Sequence, residues 1–407
     1  MYFCTIMKTG KTEIVPLLMP AICLIIGIIV APMIPHVSMI VAGFAVCILL
    51  TWFLGRWGYL QSIGILLCFL WMGMLVGQRV ERTNNGYRRV EIRDGSNENL
   101  SKLERIRLQF LDYREKLLNR YRTQPVDDDQ YAVLAAMTLG DKSALTKELR
   151  ETYSVSGASH ILALSGLHLG IIYFLLFRLT LGRRHFWFSQ VVIILSIWAF
   201  AFLTGLSTSV MRSATMISIY ALFSVAGRHR SPVNLLCFTA IVMLLVNPSS
   251  LYDVGFQMSF SAVLAILLLM PLFESFFPEN YFVSRPVQRY IYNMVALSVA
   301  AQIGVAPLIA YYFGRFSTYF LLTNFIVIPV ATVILYGALL VVAFPSFSSI
   351  ILWIVGMLNK ALGWISQMPC ASIDGLHPSV LQVCLLYIVF FCIYFSLRTL
   401  QRVPPIT

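Results

Sequence analysis

Long apolar runs follow one another along almost the whole chain, and they constrain its fold more than any other feature. A helix that crosses a bilayer needs about 20 apolar residues, and the sequence contains twelve runs of about this length. Only 12% of the 407 residues are charged and 58% are hydrophobic, whereas soluble domains carry roughly 25% charged residues. The sequence therefore predicts an all-α polytopic membrane protein with about eleven or twelve transmembrane helices. The predicted spans lie at about 15–33, 38–54, 60–78, 161–180, 187–203, 208–227, 231–247, 256–273, 288–312, 318–343, 348–366 and 379–397.

A long polar segment, 79–157, separates the third run from the fourth and carries thirteen acidic and fifteen basic residues. Its first part, from Glu81 to Asn99, has the composition of a polar, turn-like connection. From Leu100 onward apolar residues recur with helical periodicity between basic ones. This pattern predicts an amphipathic helix that either lies on the membrane or packs on the bundle. A further apolar helix is predicted after Asp127–Asp129, whose carboxylates suit a helix N-terminus, and Gly140 suits its end.

The short loops alternate in their content of Lys and Arg, and cytoplasmic loops are the ones that carry an excess of both. Lys8 and Lys11 then place the N-terminus in the cytoplasm, and the tail after the last run returns to that side. The outer short loops contain Arg315, and Lys360 lies toward the outer end of its run. We therefore expect an inner-membrane protein with both termini in the cytoplasm and the segment 79–157 outside. The basic residues assigned to the inner side are Arg56, Arg178, Arg183, Arg184, Arg228, Arg230, Arg285, Arg289, Arg398 and Arg402.

Two bulk properties do not by themselves indicate a ligand. The net charge of +12 is compatible with nucleic-acid affinity, but an excess of basic residues on the inner side is the favoured explanation. Most of the eight cysteines lie in apolar runs and none forms a C-x-x-C pair. They are interpreted as small core residues rather than as a metal site or a disulfide framework.

Two polar stretches stand where predicted spans begin. The first, Gly157–Gly170, contains two histidines, two serines and three glycines, and the second, Thr204–Ser213, places Arg212 close to the start of a span. Polar and ionisable groups are costly in hydrocarbon and usually face a cavity, a partner or a path. Glycines beside them are typical of a broken or closely approached helix. These stretches therefore predict the lining of a pathway through the membrane, near the outer ends of their spans.

The histidines and serines of the first stretch do not favour an enzyme. His160 and His168 are eight residues apart, about two helical turns, but two histidines alone make an incomplete zinc site. Hydrogen bonds between helices are the favoured interpretation of each. Ser165 and His168 have the spacing of a nucleophile and its base, yet no third group that would orient the histidine is evident. We expect no catalytic residue, no metal ligand and no cofactor.

The other polar groups each allow two interpretations. Arg212 either meets a phosphate or pairs with Asp253, and Asp253 also fits the N-terminal cap of the next helix. The glycines either allow close helix packing or unwind a helix toward a lumen. Hydroxyl groups either cap helices or line the path, and amides either join helices or line the path. The candidate pathway residues are His160, Ser165, Gly166, His168, Gly205, Ser207, Ser209, Arg212, Asp253, Gln257, Gln302 and Asn324.

Several motifs, in order along the chain, resemble those of one family. The sequence Ser-His-Ile-Leu-Ala-Leu-Ser-Gly-Leu-His at 159–168 is similar to the signature of the ComEC-type competence proteins, which form the inner-membrane channel for transforming DNA. The resemblance covers about 130–395 well and the first three spans loosely. Other stretches that resemble family motifs are Ala135–Lys142, Thr204–Arg212, Asp253–Phe260, Gln302–Pro307, Phe313–Ser317, Asn324 and Pro329.

The resemblance also implies how the chain is divided. Family members often carry an OB-like domain between the early spans, for which only about 79–99 is available here. Many also carry a C-terminal metallo-β-lactamase-like nuclease domain, whereas this chain ends at Thr407 and has no H-x-H-x-D-H pattern. We therefore expect a short form that acts with separate cytoplasmic motor or nuclease proteins. Its expected parts are a three-helix membrane region (1–78), an extracytoplasmic segment (79–157), a channel domain (158–398) and a cytoplasmic tail (399–407).

The function that this resemblance implies is transport of single-stranded DNA into the cytoplasm during natural transformation, with single-stranded DNA and membrane lipid as partners. A single strand needs a polar, preferably basic route, which the two polar stretches are suited to provide. The alternatives are a small-solute transporter and a partner-dependent membrane scaffold. DNA binding that weakens with salt would favour DNA transport over both alternatives, because phosphate contacts release counterions.

Overall fold

The computed structural model describes residues 15–34, 36–53, 58–90, 102–121, 128–180, 186–225, 231–277, 281 and 284–400. Almost all regular structure in this part of the chain is helical. The helices are α1 (Leu18–Val30), α2 (Val37–Phe53), α3 (Gly58–Val90), α4 (Lys102–Tyr121), α5 (Asp128–Leu139), α6 (Lys147–Val155), α7 (Ser159–Leu162), α8 (Gly166–Leu179), α9 (Phe186–Leu203), α10 (Thr208–Val225), α11 (Pro232–Val246), α12 (Val254–Glu274), α13 (Pro286–Phe313), α14 (Phe320–Ala343), α15 (Ser348–Ser366) and α16 (Val380–Leu400). Two three-residue strands, β1 (Arg315–Ser317) and β2 (Ser372–Asp374), pair antiparallel.

The predicted all-α membrane class is confirmed. Each of the twelve predicted spans coincides with one of these helices, or with the α7–α8 pair. Within the described residues, α10 has the length of a span, but Arg212 and its hydroxyl side chains make it less apolar than the others. Seven helices there are long and apolar enough to cross a membrane: Tyr59–Gln78, Phe186–Leu203, Val254–Glu274, Pro286–Phe313, Phe320–Val342, Pro345–Ser366 and Val380–Thr399. Four shorter apolar helices accompany them: Leu18–Met33, Val37–Phe53, Gly166–Leu179 and Pro232–Val246.

The chain divides into two compact units. The first consists of Met1–Leu100 and Leu222–Phe260, and the second of Ser101–Ala221 and Ser261–Thr407. In the first unit α1 packs closely on α3 through facing glycines, since a Cβ at Gly27 would lie 2.1 Å from the Leu70 carbonyl oxygen. A Cβ at Gly73 would lie 2.3 Å from that of Leu24. Small residues that allow such an approach are typical of packed membrane helices.

The prediction of a turn-like connection from Glu81 onward was wrong for its first ten residues, because α3 continues to Val90. A helix that has already formed extends at little cost, and the Arg, Glu and Gln residues beyond the apolar part have good helix propensity. The isolated Gly86 opposes this by only about 1 kcal/mol. Residues 91–101 lie outside the described part of the chain, as do Asp127 and most of the basic residues used for the orientation.

The predicted amphipathic helix is α4, and it packs on the second unit. Leu118 and Tyr121 are buried, and the helix contacts α5, α9 and α14. Near its end, the Arg120 guanidinium donates a hydrogen bond of 2.8 Å to the carbonyl oxygen of Val342. Of the two placements that the sequence allowed, packing on the bundle is the one observed.

Helix α5 lies in the centre of the second unit. All residues from Tyr131 to Leu139 are buried, and they form one hydrophobic cluster with α14 and α15. Gly140 ends the helix with a φ of +72°, a left-handed conformation that glycine adopts without a steric cost. The segment before the channel motifs thus contributes a buried helix to the unit that contains both polar stretches.

Candidate functional site

The first polar stretch is a broken span. Helix α7 ends at Leu162 and α8 begins at Gly166, and both Ala163 and Ser165 have extended backbone angles. Helix α8 has 14 residues, which is about 21 Å against roughly 30 Å of hydrocarbon in a bilayer. Non-helical backbone at membrane depth is tolerated where it is buried in protein or lines a water-filled cavity.

The break lies well inside the second unit. The Thr323 hydroxyl, near the start of α14, donates to the carbonyl oxygen of Ser156 at 2.7 Å. Further along the same helix, the Tyr336 hydroxyl donates to the carbonyl oxygen of Ile171 at 3.4 Å. Tyr336 is about 25 Å into α14, whereas Ile171 is only about 9 Å into α8. Helix α8 therefore begins beside the middle of α14 rather than beside its end.

Ser165 and His168 form a capping box at the start of α8. Nδ1 of His168 lies 3.2 Å from the Ser165 backbone nitrogen, which donates to it, and 2.9 Å from the Ser165 hydroxyl oxygen. Because Nδ1 accepts, the proton of the neutral ring is on Nε2, which is buried and has no hydrogen-bond partner within the described part of the chain. His168 is 0% exposed. This arrangement accounts for the i, i+3 spacing as a helix cap.

His160 and Gly157 stand at the start of the same stretch. The exposed His160 ring places Nδ1 3.1 Å from the carbonyl oxygen of Gly157. Gly157 has a φ of +85°, and a Cβ there would lie 2.8 Å from the Ser317 hydroxyl oxygen. The stretch is thus held against β1 at a position that has no room for a side chain. Within the described residues no group of three or more His, Cys, Asp or Glu side chains is arranged to hold a metal ion.

The second polar stretch is a tight turn followed by a helix. Gly205 and Leu206 have φ values of +78° and +58°, and Leu206 N–H donates to the carbonyl oxygen of Ala201 at 2.8 Å. The positive φ of Leu206 is unusual for a non-glycine residue, and such conformations cluster at functional sites. Ser207 is exposed and its carbonyl oxygen accepts from the N–H of Met211 at 2.9 Å. Arg212, in the second turn of α10, is buried, with 6% of its surface exposed.

The structure brings the two polar stretches together. A Cβ at Gly166 would lie 3.2 Å from the Ser213 hydroxyl oxygen, which itself donates to the carbonyl oxygen of Ser209. A Cβ at Gly140 would lie 2.8 Å from Leu164 and 3.9 Å from Thr204. One hydrophobic cluster contains Leu164, Leu169, Ile193, Ile197, Ala201, Val210 and Ala214. The break in the first span and the turn before α10 therefore form one site.

The other candidates are placed as follows. In the first unit Asp253 caps α12, since its Oδ1 accepts from the N–H of Phe256 at 2.7 Å, and Gln257 donates to the carbonyl oxygen of Leu251 at 3.0 Å. In the second unit, Gln302 lies in α13 and Asn324 in α14, directly after Thr323. The Asn324 side-chain oxygen is buried without a hydrogen-bond partner among the described residues. Asp253 and Gln257 both belong to the first unit.

A family comparison matches the part of the chain that contains both polar stretches. The profile described as "Competence protein" matches residues 137–400, which is more than half of the chain and includes all twelve candidate residues. The chain belongs to the Competence protein family. The matched part of this competence-family chain begins at Met137, so it contains only the last three residues of α5 and all of the elements that follow as far as α16.

Individual relatives are distant and longer than this chain. It is 25% identical to ComE operon protein 3 of Bacillus subtilis over 295 residues, 69% of this chain and 36% of that protein. It is 28% identical to an uncharacterized protein of Aquifex aeolicus over 198 residues, 48% of this chain and 44% of that protein. It is 26% identical to Recombination protein 2 of Haemophilus influenzae over 244 residues, 57% of this chain and 31% of that protein. The competence-family chain thus matches less than half the length of each of these relatives, and no solved structure matches it significantly.

A cluster around Arg315 was not predicted from the sequence. Nη1 of Arg315 lies 2.7 Å from Oε1 of Glu151 and 3.3 Å from the Ser154 hydroxyl oxygen, while its Nε donates to Asp374. Partial burial lowers the guanidinium pKa, but the hydrogen bonds to Asp374 and Glu151 outweigh it, so the pKa of Arg315 is raised. The cluster joins α6, β1 and β2 of the competence-family chain. Its signal in the sequence was a basic residue in a loop that the charge rule assigns to the outer side, where that rule does not expect one.

Proposed function

We propose that this membrane protein forms a channel that carries single-stranded DNA into the cytoplasm during natural transformation. The observation that carries the proposal is the convergence of the broken span at 163–165 with the turn at 204–207, inside a region of the Competence protein family. The names of two relatives, ComE operon protein 3 and Recombination protein 2, support a role in DNA uptake.

The chemistry of the site suits a strand of phosphates and bases. A polar path needs backbone and side-chain groups that are not consumed by regular helix, and the break and the turn provide them. Arg212 contributes a permanent positive charge near this point. Transport channels for single strands combine such basic groups with a polar groove. We propose that the strand enters from the outer side, that both termini are cytoplasmic, and that a separate motor or nuclease completes the process.

The test is the transformability of a naturally competent host from which the gene has been deleted. We expect the deletion to abolish uptake of linear chromosomal DNA and a plasmid-borne copy to restore it. Electroporation of the same DNA bypasses the uptake channel, so it should transform the deletion strain and the parent equally. Normal natural transformation of the deletion strain would show that the protein is not the channel. Equal defects in natural transformation and electroporation would place its role after DNA entry.

A further inference from the structure

Two arginines of α4 face the second polar stretch. Arg107 and Arg114 are seven residues apart, about two helical turns, and share a face with Leu111. Nη2 of Arg107 donates to the carbonyl oxygen of Gly205 at 3.3 Å. A Cβ at Gly205 would lie 3.6 Å from Leu111 and 3.7 Å from Nη1 of Arg114. Both guanidinium groups therefore reach the strained turn that precedes Arg212.

The guanidinium group of Arg114 is less completely hydrogen-bonded than that of Arg107. Its Nε is buried and has no hydrogen-bond partner among the described residues. A buried charged donor without an acceptor is costly, so a position of this kind favours an anion. Arg114 also lines an open cavity of about 350 Å³ together with Leu111, Asp112 and Glu115. Because Leu111 and Arg114 contact Gly205, this cavity lies beside the turn.

The local charge balance leaves room for an anion. Helix α4 contains six basic and three acidic residues, and the Asp112 carboxylate is already paired with Lys116 at 2.6 Å. Glu115 is the other carboxylate at the cavity, which is also lined by the Arg114 guanidinium. Guanidinium groups bind phosphate through paired N–H donors. The surroundings of Gly205 therefore have the charge and the donors that a phosphodiester group requires.

The geometry points to Arg107 and Arg114 as residues that bind phosphates of the transported DNA strand at the second polar stretch. This inference rests on the proposed function, since it names the side chains that receive the strand before it passes Arg212. Their contacts with Gly205 place both arginines on the side of α4 that faces the turn. Arg105 is two residues from Arg107, about 200° around the helix, and therefore lies on the opposite side.

The test measures how the affinity for DNA depends on salt. The full-length protein is placed in phosphatidylcholine nanodiscs, and binding of a fluorescein-labelled oligothymidylate is titrated at several NaCl concentrations. Each phosphate contact to a single strand contributes about 0.7 to the slope of log K against log salt. We expect R107Q/R114Q to lower the slope by about 1.4 and to weaken binding, with an unchanged melting temperature. The matched control R105Q/K147Q removes the same charge from two exposed positions and leaves the Asp112–Lys116 pair intact, so it should leave the slope unchanged.

The outcomes separate this inference from the proposed function. An unchanged slope in R107Q/R114Q, with salt-dependent binding by the wild type, would overturn the inference and leave the proposed channel standing. Absence of salt-dependent binding by the wild type would count against both. A lower melting temperature with an unchanged slope would show that the arginines only hold α4 in place. If the slopes of R107Q/R114Q and the wild type differ only in nanodiscs that contain phosphatidylglycerol, Arg107 and Arg114 would be assigned to lipid headgroups instead of DNA.

Discussion

Replacing Arg212 by glutamine is expected to lower natural transformation about 10- to 100-fold, because a hydrogen-bonded contact to a charged group contributes about 1.5–3 kcal/mol. Arg212 is buried in α10 and lies in the site where the two polar stretches meet. Glutamine keeps much of the length and the hydrogen-bonding capacity but removes the charge. Lysine keeps the charge without the planar, forked donors. We therefore expect R212K to retain more transformation than R212Q.

The matched control is R398Q. Arg398 is also a helical arginine of the second unit, but it lies exposed in the last turn of α16 and donates to the Tyr394 hydroxyl at 2.8 Å. R398Q should transform as the parent does. Transformation frequency is measured together with the amount of protein in the membrane, so that loss of folding is recognised. Normal transformation by R212Q at normal abundance would remove Arg212 from the proposed path.

Replacing Gly157 by alanine is expected to destabilise the protein by about 2–5 kcal/mol. A φ of +85° costs a residue with a Cβ about 1–2 kcal/mol. The added Cβ would also lie 2.8 Å from the Ser317 hydroxyl oxygen and 3.0 Å from its Cβ, and forced overpacking costs about 1–3 kcal/mol. The measurement is the thermal unfolding of the purified protein in detergent, followed by loss of monodisperse protein on heating.

Gly375 separates the two contributions to that loss. It has a φ of +76°, and a Cβ there would meet nothing within 4 Å. G375A therefore carries the backbone cost alone and should destabilise the protein by about 1–2 kcal/mol. If G157A and G375A shift the melting temperature equally, overpacking of the added Cβ against Ser317 does not contribute to the loss of stability.

The sequence was sufficient to predict the helices, because twenty-residue apolar runs have few other structures available. It also predicted that α4 is amphipathic and that Gly140 ends α5, since both depend on local patterns. The extension of α3 to Val90 was missed because composition was given more weight than the continuity of a helix that has already formed. How far α3 extends depends on the cooperativity of helix formation, which the helix propensities of single residues do not include.

The candidate site was predictable in its parts but not in its assembly. Glycines among polar residues indicated that the span at 161–180 is broken, and the break at 163–165 is observed. The contact between Gly166 and Ser213 joins residues about fifty positions apart, and no pattern in either stretch specifies it. The same holds for Arg107 and Arg114, whose inward direction depends on how α4 packs. Asp253 caps α12, and this cap depends on a local pattern that the sequence did predict.

The central claim is that the transported strand passes the site where the two polar stretches meet. The most direct test is photo-crosslinking during uptake of labelled transforming DNA, with benzoylphenylalanine in place of Ser207, which is exposed at the turn. The control carries the same group in place of Leu195, which is 65% exposed in the middle of α9. We predict that DNA crosslinks to position 207 and not to position 195. Uptake that proceeds normally in both variants without a crosslink at position 207 would contradict the claim.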